Sequence, residues 1–188
     1  MLDVRGWLSK DHYTMSCGMV FARLCLWYNV VTYTPKDATT GNNAMGKHSF
    51  DDGNIQWSQL EGFEHLSYSI LNVDRNNMIV DALFRFAAGE KVALHRHVAL
   101  NHLLVIQGEH ILYEPDGSIK ETRPCGRYTV SAANEDPHRE GGGKEQDVII
   151  LFSIRGTDGV MYEILDEENN IVATLGMEDF ENLYAAQG

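Results

Sequence analysis

The chain has 188 residues, room for one domain with an appendage, and its 44% apolar and 10% aromatic content is that of a folded rather than a disordered protein. Its formal charge of −12, from 27 acidic and 15 basic side chains, repels phosphate backbones and anionic lipid, so neither nucleic acid nor a membrane surface is expected as a partner. Cys17, Cys25 and Cys125 are odd in number and scattered with no CxxC pair, so no disulfide framework is expected and the setting is read as reducing and cytoplasmic.

The first apolar run, CGMVFARLCLWYNVV (17–31), is shorter than a membrane span and has Arg23 at its centre. Asp3 and Asp11 precede it and no small-residue cleavage site follows, so it does not read as an export signal. Residues 34–53 are rich in Thr, Asn, Gly and Asp without periodicity, the composition of a linker. Residues 1–53 are therefore read as an N-terminal arm, and 54–188 as the folded domain.

From Asn54 onward the pattern is all-β. The runs 66–73, 78–87, 91–97, 102–108 and 110–117 are short and enriched in β-branched and aromatic residues. Asp116-Gly117 marks a hairpin returning through SIKETR. Further strands are expected at 126–132, 147–156, 159–166 and 170–175, with turns at Asp158-Gly159 and Asn169-Asn170. The tail MEDFENLYAAQ has helical spacing, with Phe180, Leu183 and Tyr184 on one face. The loop REGGGKEQD after His138 reads as mobile, and Arg139 and Glu140 as members of a solvated loop. Cys125 reads as a packed thiol beside a hairpin corner, and Phe84, Arg85, Tyr113 and Phe152 mostly as packing.

The stretch HRHVALNH (95–102) carries the chemistry. On a strand, His95 and His97 present two imidazoles to one face, with Arg96 on the other. Inside a barrel such a pair can share a first-row metal ion if further ligands come from elsewhere. On a half-exposed strand the same residues merely meet solvent. If Val92 and Leu94 pack outward, the histidines fall inside.

The spacing Gly89, five residues, His95, one residue, His97, three residues, Asn101, six residues, Gly108 resembles the first motif of the cupin superfamily. Gly126 followed after eleven residues by His138 resembles the second, one residue longer than usual. The resemblance implies a jelly-roll β-barrel, with motifs at 89–108 and 126–138, and a metal held by His95, His97 and His138. Asn101 stands where most cupins have a ligating glutamate. An amide oxygen is a poor ligand beside imidazoles, which puts Asn101 near the ion, hydrogen-bonding water or a substrate oxygen. His102 competes for the ligand role, although strand parity points it away from Asn101. His12, His48, His65 and His110 read as surface or packing residues.

Three neutral imidazoles would leave the full 2+ charge on the ion, favouring an anionic, oxygen-chelating substrate. The pattern resembles a cupin subgroup of Fe²⁺ dioxygenases that cleave carbon–carbon bonds. It thus implies a small β-diketone or hydroxyacetophenone-like substrate, O₂ as co-substrate, and Fe²⁺ with Zn²⁺, Ni²⁺ or Mn²⁺ as alternatives. The rival readings are a non-catalytic metal or ligand sensor and a metal-free structural barrel. Acidic barrels with an arm and exposed edge strands pair readily, so a homodimer is expected.

Overall fold

The computed structural model describes residues 49–188, except 61, 157 and 158. Most of the expected arm, with His12, His48, Cys17 and Cys25, lies outside the described residues, as does Asp158 of one expected turn. Twelve strands and one helix follow in order. They are β1 (Ser58–Gln59), β2 (Leu66–Asp74), β3 (Ile79–Phe86), β4 (His95–His97), β5 (Leu100–Gln107) and β6 (Glu109–Tyr113). The second half holds β7 (Ile119–Pro124), β8 (Tyr128–Ser131), β9 (Arg139–Gly142), β10 (Val148–Arg155), β11 (Val160–Leu165), β12 (Ile171–Gly176) and α1 (Met177–Ala186).

One layer is a six-stranded sheet in the order β1-β2-β3-β10-β5-β8. The others are three-stranded, β12-β11-β4 and β7-β6-β9, and every ladder is antiparallel. Two mutual backbone hydrogen bonds, His95 N–H to His138 O at 3.0 Å and His138 N–H to His95 O at 2.9 Å, stitch β4 to the start of β9. The two small sheets thereby join into one layer. Successive strands from β3 to β6 alternate between the layers, and so do β8 to β11, the winding of a jelly-roll barrel.

Alternation along β10 shows how the sequence fills the interior. Val148, Ile150, Phe152 and Ile154 enter the core cluster, with Val80 and Phe86 of β3, Val105 of β5 and Met161 of β11. Each such side chain, fully buried, contributes roughly 1.5–3 kcal/mol. Phe84 and Phe152 meet edge to face at 5.1 Å, a favoured aromatic geometry. Gly108 joins β5 to β6 at φ 73°, a left-handed conformation that a side chain resists, and a Cβ there would lie 2.7 Å from the Asp147 carbonyl oxygen.

Four expectations need correction. Residues 91–94 are not regular strand, so parity does not run through them: Val92 joins the core cluster instead of packing outward. The REGGG segment is not a mobile loop, because residues 139–142 form β9. A Cβ on Gly141 would collide with the Glu90 carbonyl oxygen, and one on Gly142 would lie 2.8 Å from that of Ala87. The glycines therefore permit close backbone approach. Cys125 is exposed rather than packed, its thiol donating to the Ile106 carbonyl at 3.0 Å. The inner face of α1 is Met177, Phe180 and Leu183, whereas Tyr184 is 46% exposed.

The helix is tied at both ends. The Asp179 carboxylate accepts the Gly176 N–H at 2.7 Å at its start. At its end the Gln187 amide accepts the Ile70 N–H at 2.7 Å and donates to the Ile70 carbonyl at 3.2 Å, imitating a strand partner. Arg75 and Glu181 form an ion pair beside it. No helix among the described residues is long and apolar enough to cross a membrane.

Candidate metal centre

Strand geometry assembles four side chains. His95 and His97 are i and i+2 on β4, and His138 and Glu140 are i and i+2 across the start of β9. The bridge between His95 and His138 sets the two pairs side by side. Their potential ligand atoms lie within 4.8 Å of one another, and all four residues are buried, an arrangement that could hold a metal ion.

The hydrogen bonds fix which nitrogens face inward. His95 Nδ1 lies 2.9 Å from the Ala93 carbonyl oxygen and His138 Nδ1 lies 3.0 Å from that of Asp136. A carbonyl only accepts, so each Nδ1 carries the proton and each Nε2 turns a lone pair into the cluster. His95 Nε2 and His97 Nε2 are 3.2 Å apart, and His138 Nε2 and Glu140 Oε1 are buried without hydrogen-bond partners. His97 Nδ1 is buried without a partner, so His97 can carry its proton on Nε2 and donate it to His95 Nε2, whereas the His138 nitrogen and the Glu140 oxygen have no such donor. Buried polar atoms left unpaired cost on the order of 1–3 kcal/mol each, so the donor set fits a divalent ion.

Charge reinforces the fit. Glu140 Oε2 is 3.6 Å from His95 Nε2, and Oε1 is 4.0 Å from His97 Nε2 and 3.8 Å from His138 Nε2. Burial works to raise the Glu140 carboxyl, but the surrounding imidazoles, His110 foremost, hold it well below the usual carboxylate range. Burial drives His97 well below the ordinary imidazole value against the pull of Glu140. Burial also lowers His138, but the Glu140 carboxylate outweighs it and the net shift is upward.

The expected residues fall as follows. His95, His97 and His138 come together. Asn101 is fully buried nearby, with its amide donating to the Ala99 carbonyl at 2.9 Å and its oxygen accepting the Tyr162 hydroxyl at 2.7 Å. The Tyr162 ring sits 4.9 Å from that of His97. His102 is half-buried on the opposite side of β5 and contacts the Tyr128 hydroxyl. His65 is exposed beside Glu90. His110 is buried, stacked on Phe86, with Nε2 3.3 Å from Glu140 Oε1.

Glu140 was missed, and its assignment to a solvated loop is wrong: it is 3% exposed. Its spacing of two from His138 was the available signal, obscured by the glycines that follow. A carboxylate thus stands among the imidazoles as a fourth potential donor, which the reading of three neutral ligands did not include.

An apolar cavity opens from the cluster. His95 and Glu140 line it together with Phe84, Phe86, Phe152 and Tyr162.

No family model matches the chain, and no curated protein matches it in sequence. Solved structures do match in fold. An RmlC-like cupin protein from Ralstonia eutropha aligns with TM-score 0.61 at 16% identity, over 75% of this chain and 86% of that one. An acetylacetone dioxygenase from Acinetobacter johnsonii aligns with TM-score 0.59 at 13% identity, over 81% and 99%. A candidate acetylacetone dioxygenase from Methylibium petroleiphilum aligns with TM-score 0.58 at 17% identity, over 76% and 97%. At such identities the likeness establishes the fold alone: the chain has the jelly-roll fold of these cupin structures.

Proposed function

We propose that this cupin-fold chain is a metal-dependent dioxygenase, with Fe²⁺ as its working ion, that uses O₂ to cleave a carbon–carbon bond of a small β-diketone or hydroxyacetophenone-like substrate. The observation that carries the proposal is the buried cluster of three imidazoles and one carboxylate, with unpartnered donor atoms, at the wall of an apolar cavity. His95, His97, His138 and Glu140 would hold the ion. When bound, a divalent ion supplies a Lewis-acid centre with positions open to small oxygen ligands.

The residues supply the rest. Three neutral imidazoles and one carboxylate leave a divalent ion with a single net positive charge, which a monoanionic enolate would cancel in a buried site. Tyr162 keeps its proton, because burial and then the Glu140 charge raise the phenol well above its ordinary value. Asn101 accepts that proton in a hydrogen bond and so positions the ring against His97. A solved structure sharing this fold bears the name acetylacetone dioxygenase, which supports the reading by analogy.

One observation favours a second reading. Four protein donors can complete a tetrahedral set, the arrangement of closed, non-catalytic sites, so a metal- or ligand-binding module is the alternative. The deciding experiment loads the full chain with Fe²⁺ without oxygen, adds acetylacetone, and follows O₂ uptake on exposure to air. Uptake in step with loss of the diketone is expected, and His138→Ala should abolish both metal retention and uptake. Metal retention without uptake for any β-diketone would leave the binding module as the function. We place the chain in the cytoplasm, to which its free Cys125 thiol is suited, as a homodimer using the edge strand β8 with exposed Tyr128 and Val130. A monomer in sedimentation at micromolar concentration would rule out the dimer.

A further inference from the structure

Strand β6 carries a histidine that stands beside the cluster without belonging to it. His110 is fully buried in the β7-β6-β9 sheet, and neither of its ring nitrogens has a hydrogen-bond partner. The register sets it opposite Gly142 on β9 and opposite Arg123 on β7. Opposed residues of an antiparallel pair share a face, and a long side chain also reaches its diagonal neighbour. Glu140 is that neighbour, and Gly142 has no side chain to intervene. His110 Nε2 lies 3.3 Å from Glu140 Oε1, in reach but not in line, so neither atom is satisfied. On the other side Arg123 is itself buried. Its Nε and Nη2 meet the Glu121 carboxylate at 2.8 and 2.7 Å, and its Nη1 is left without a partner.

We propose that Arg123, His110 and Glu140 form a donor chain, in which His110 is a positioning residue that holds the Glu140 carboxylate toward the metal. This rests on the proposed function only in taking Glu140 as a ligand. A guanidinium donates and never accepts. Its free Nη1–H, met directly or through one water, favours a lone pair on His110 Nδ1, and the proton of the neutral ring then sits on Nε2, facing Glu140. A carboxylate oxygen has two lone pairs, so Oε1 can take this N–H and still offer the other to the cluster. His110 Nδ1, His110 Nε2 and Arg123 Nη1 are costly to leave unpaired in the interior, and the chain satisfies all three at once. Without the ring, Glu140 would keep its charge but lose the contact that fixes its direction, and ligating carboxylates depend on such contacts.

The test titrates the full chain with Co²⁺ against a chromophoric chelator. His110→Leu should lower affinity by about 10–100-fold, the usual cost of removing a metal ligand's own partner. His110→Gln, which keeps an N–H donor at similar reach, should recover most of that loss. In the Glu140→Ala chain, His110→Leu should change affinity by less than about twofold, because no carboxylate is left to position. Arg123→Met should weaken binding in the parent chain but not in the His110→Gln chain, whose amide has no tautomer to set. Equal losses from His110→Leu with and without Glu140, or no recovery by His110→Gln, would make the ring a packing element and overturn the inference. An Arg123→Met loss that is absent from the parent chain, or that persists in the His110→Gln chain, would overturn it too. If His110→Leu does not fold, the Arg123→Met comparison decides. If the chain retains no Co²⁺, the proposed function fails on its own account. The contact is then tested on the metal-free chain by the urea midpoints of His110→Gln, Glu140→Ala and the double variant: non-additive losses support it, and additive losses overturn it.

Discussion

Glu140 stands two residues beyond His138, and that spacing does more than add a fourth donor. Its carboxylate is the only acid in the cluster and the reason the His138 imidazole lies above its ordinary value of 6.5 despite burial. A ligand must be deprotonated to bind metal, so below its pKa His138 makes the ion compete with a proton. Metal uptake should therefore be strongest at a pH above 6.5 and fall as the solution is acidified through that region. Glu140→Gln removes the partner that favours the protonated ring, so the midpoint should move to lower pH. At a fixed pH well above it, affinity should drop by about 10–100-fold for loss of the carboxylate. Competition with a chromophoric chelator across a pH series measures both. A midpoint that stays put in the variant would mean that Glu140 does not govern His138. The nearby Asn101 is spent on Ala99 and Tyr162, and its influence on the cluster runs through the tyrosine ring.

Among the elements, β9 carries Glu140 into the cluster, and its composition conceals that. Three successive glycines suggest slack, yet Gly141 and Gly142 pass so close to the backbone at Glu90 and Ala87 that side chains would not fit. Gly141→Ala should cost roughly 1–3 kcal/mol through overpacking, read as a lowered midpoint in denaturant unfolding. A neutral effect would show that β9 yields freely. The same contrast explains what the sequence could disclose. β3, β5, β10 and β11 are short runs enriched in β-branched and aromatic residues, so their positions are legible, and fixed motif spacing singled out His95, His97 and His138. Residues 91–94 broke the parity rule by leaving the strand, and β9 had no apolar alternation to read. Tyr184 was placed on the inner face of α1 because its spacing from Phe180 suits a helix, whereas the contact with the barrel is centred on Met177 and Phe180.

At the scale of the whole molecule, the pair of hydrogen bonds between His95 and His138 is the stitch joining the two small sheets, made by residues that also offer their rings to the ion. Occupancy and closure of the barrel are then one equilibrium seen from two sides. Without an ion to hold the rings together, this seam should be the first part of the barrel to open. An ion drawing the rings inward works as a clasp, and a ligand that binds only the closed form stabilises it by about 2.7 kcal/mol at a hundred times its dissociation constant. The amide protons of His95 and His138 should accordingly exchange with deuterium far more slowly after metal loading, while those in the middle of β10 change little. Uniform slowing across both regions would instead mean that the barrel opens as a single unit, with no seam of its own.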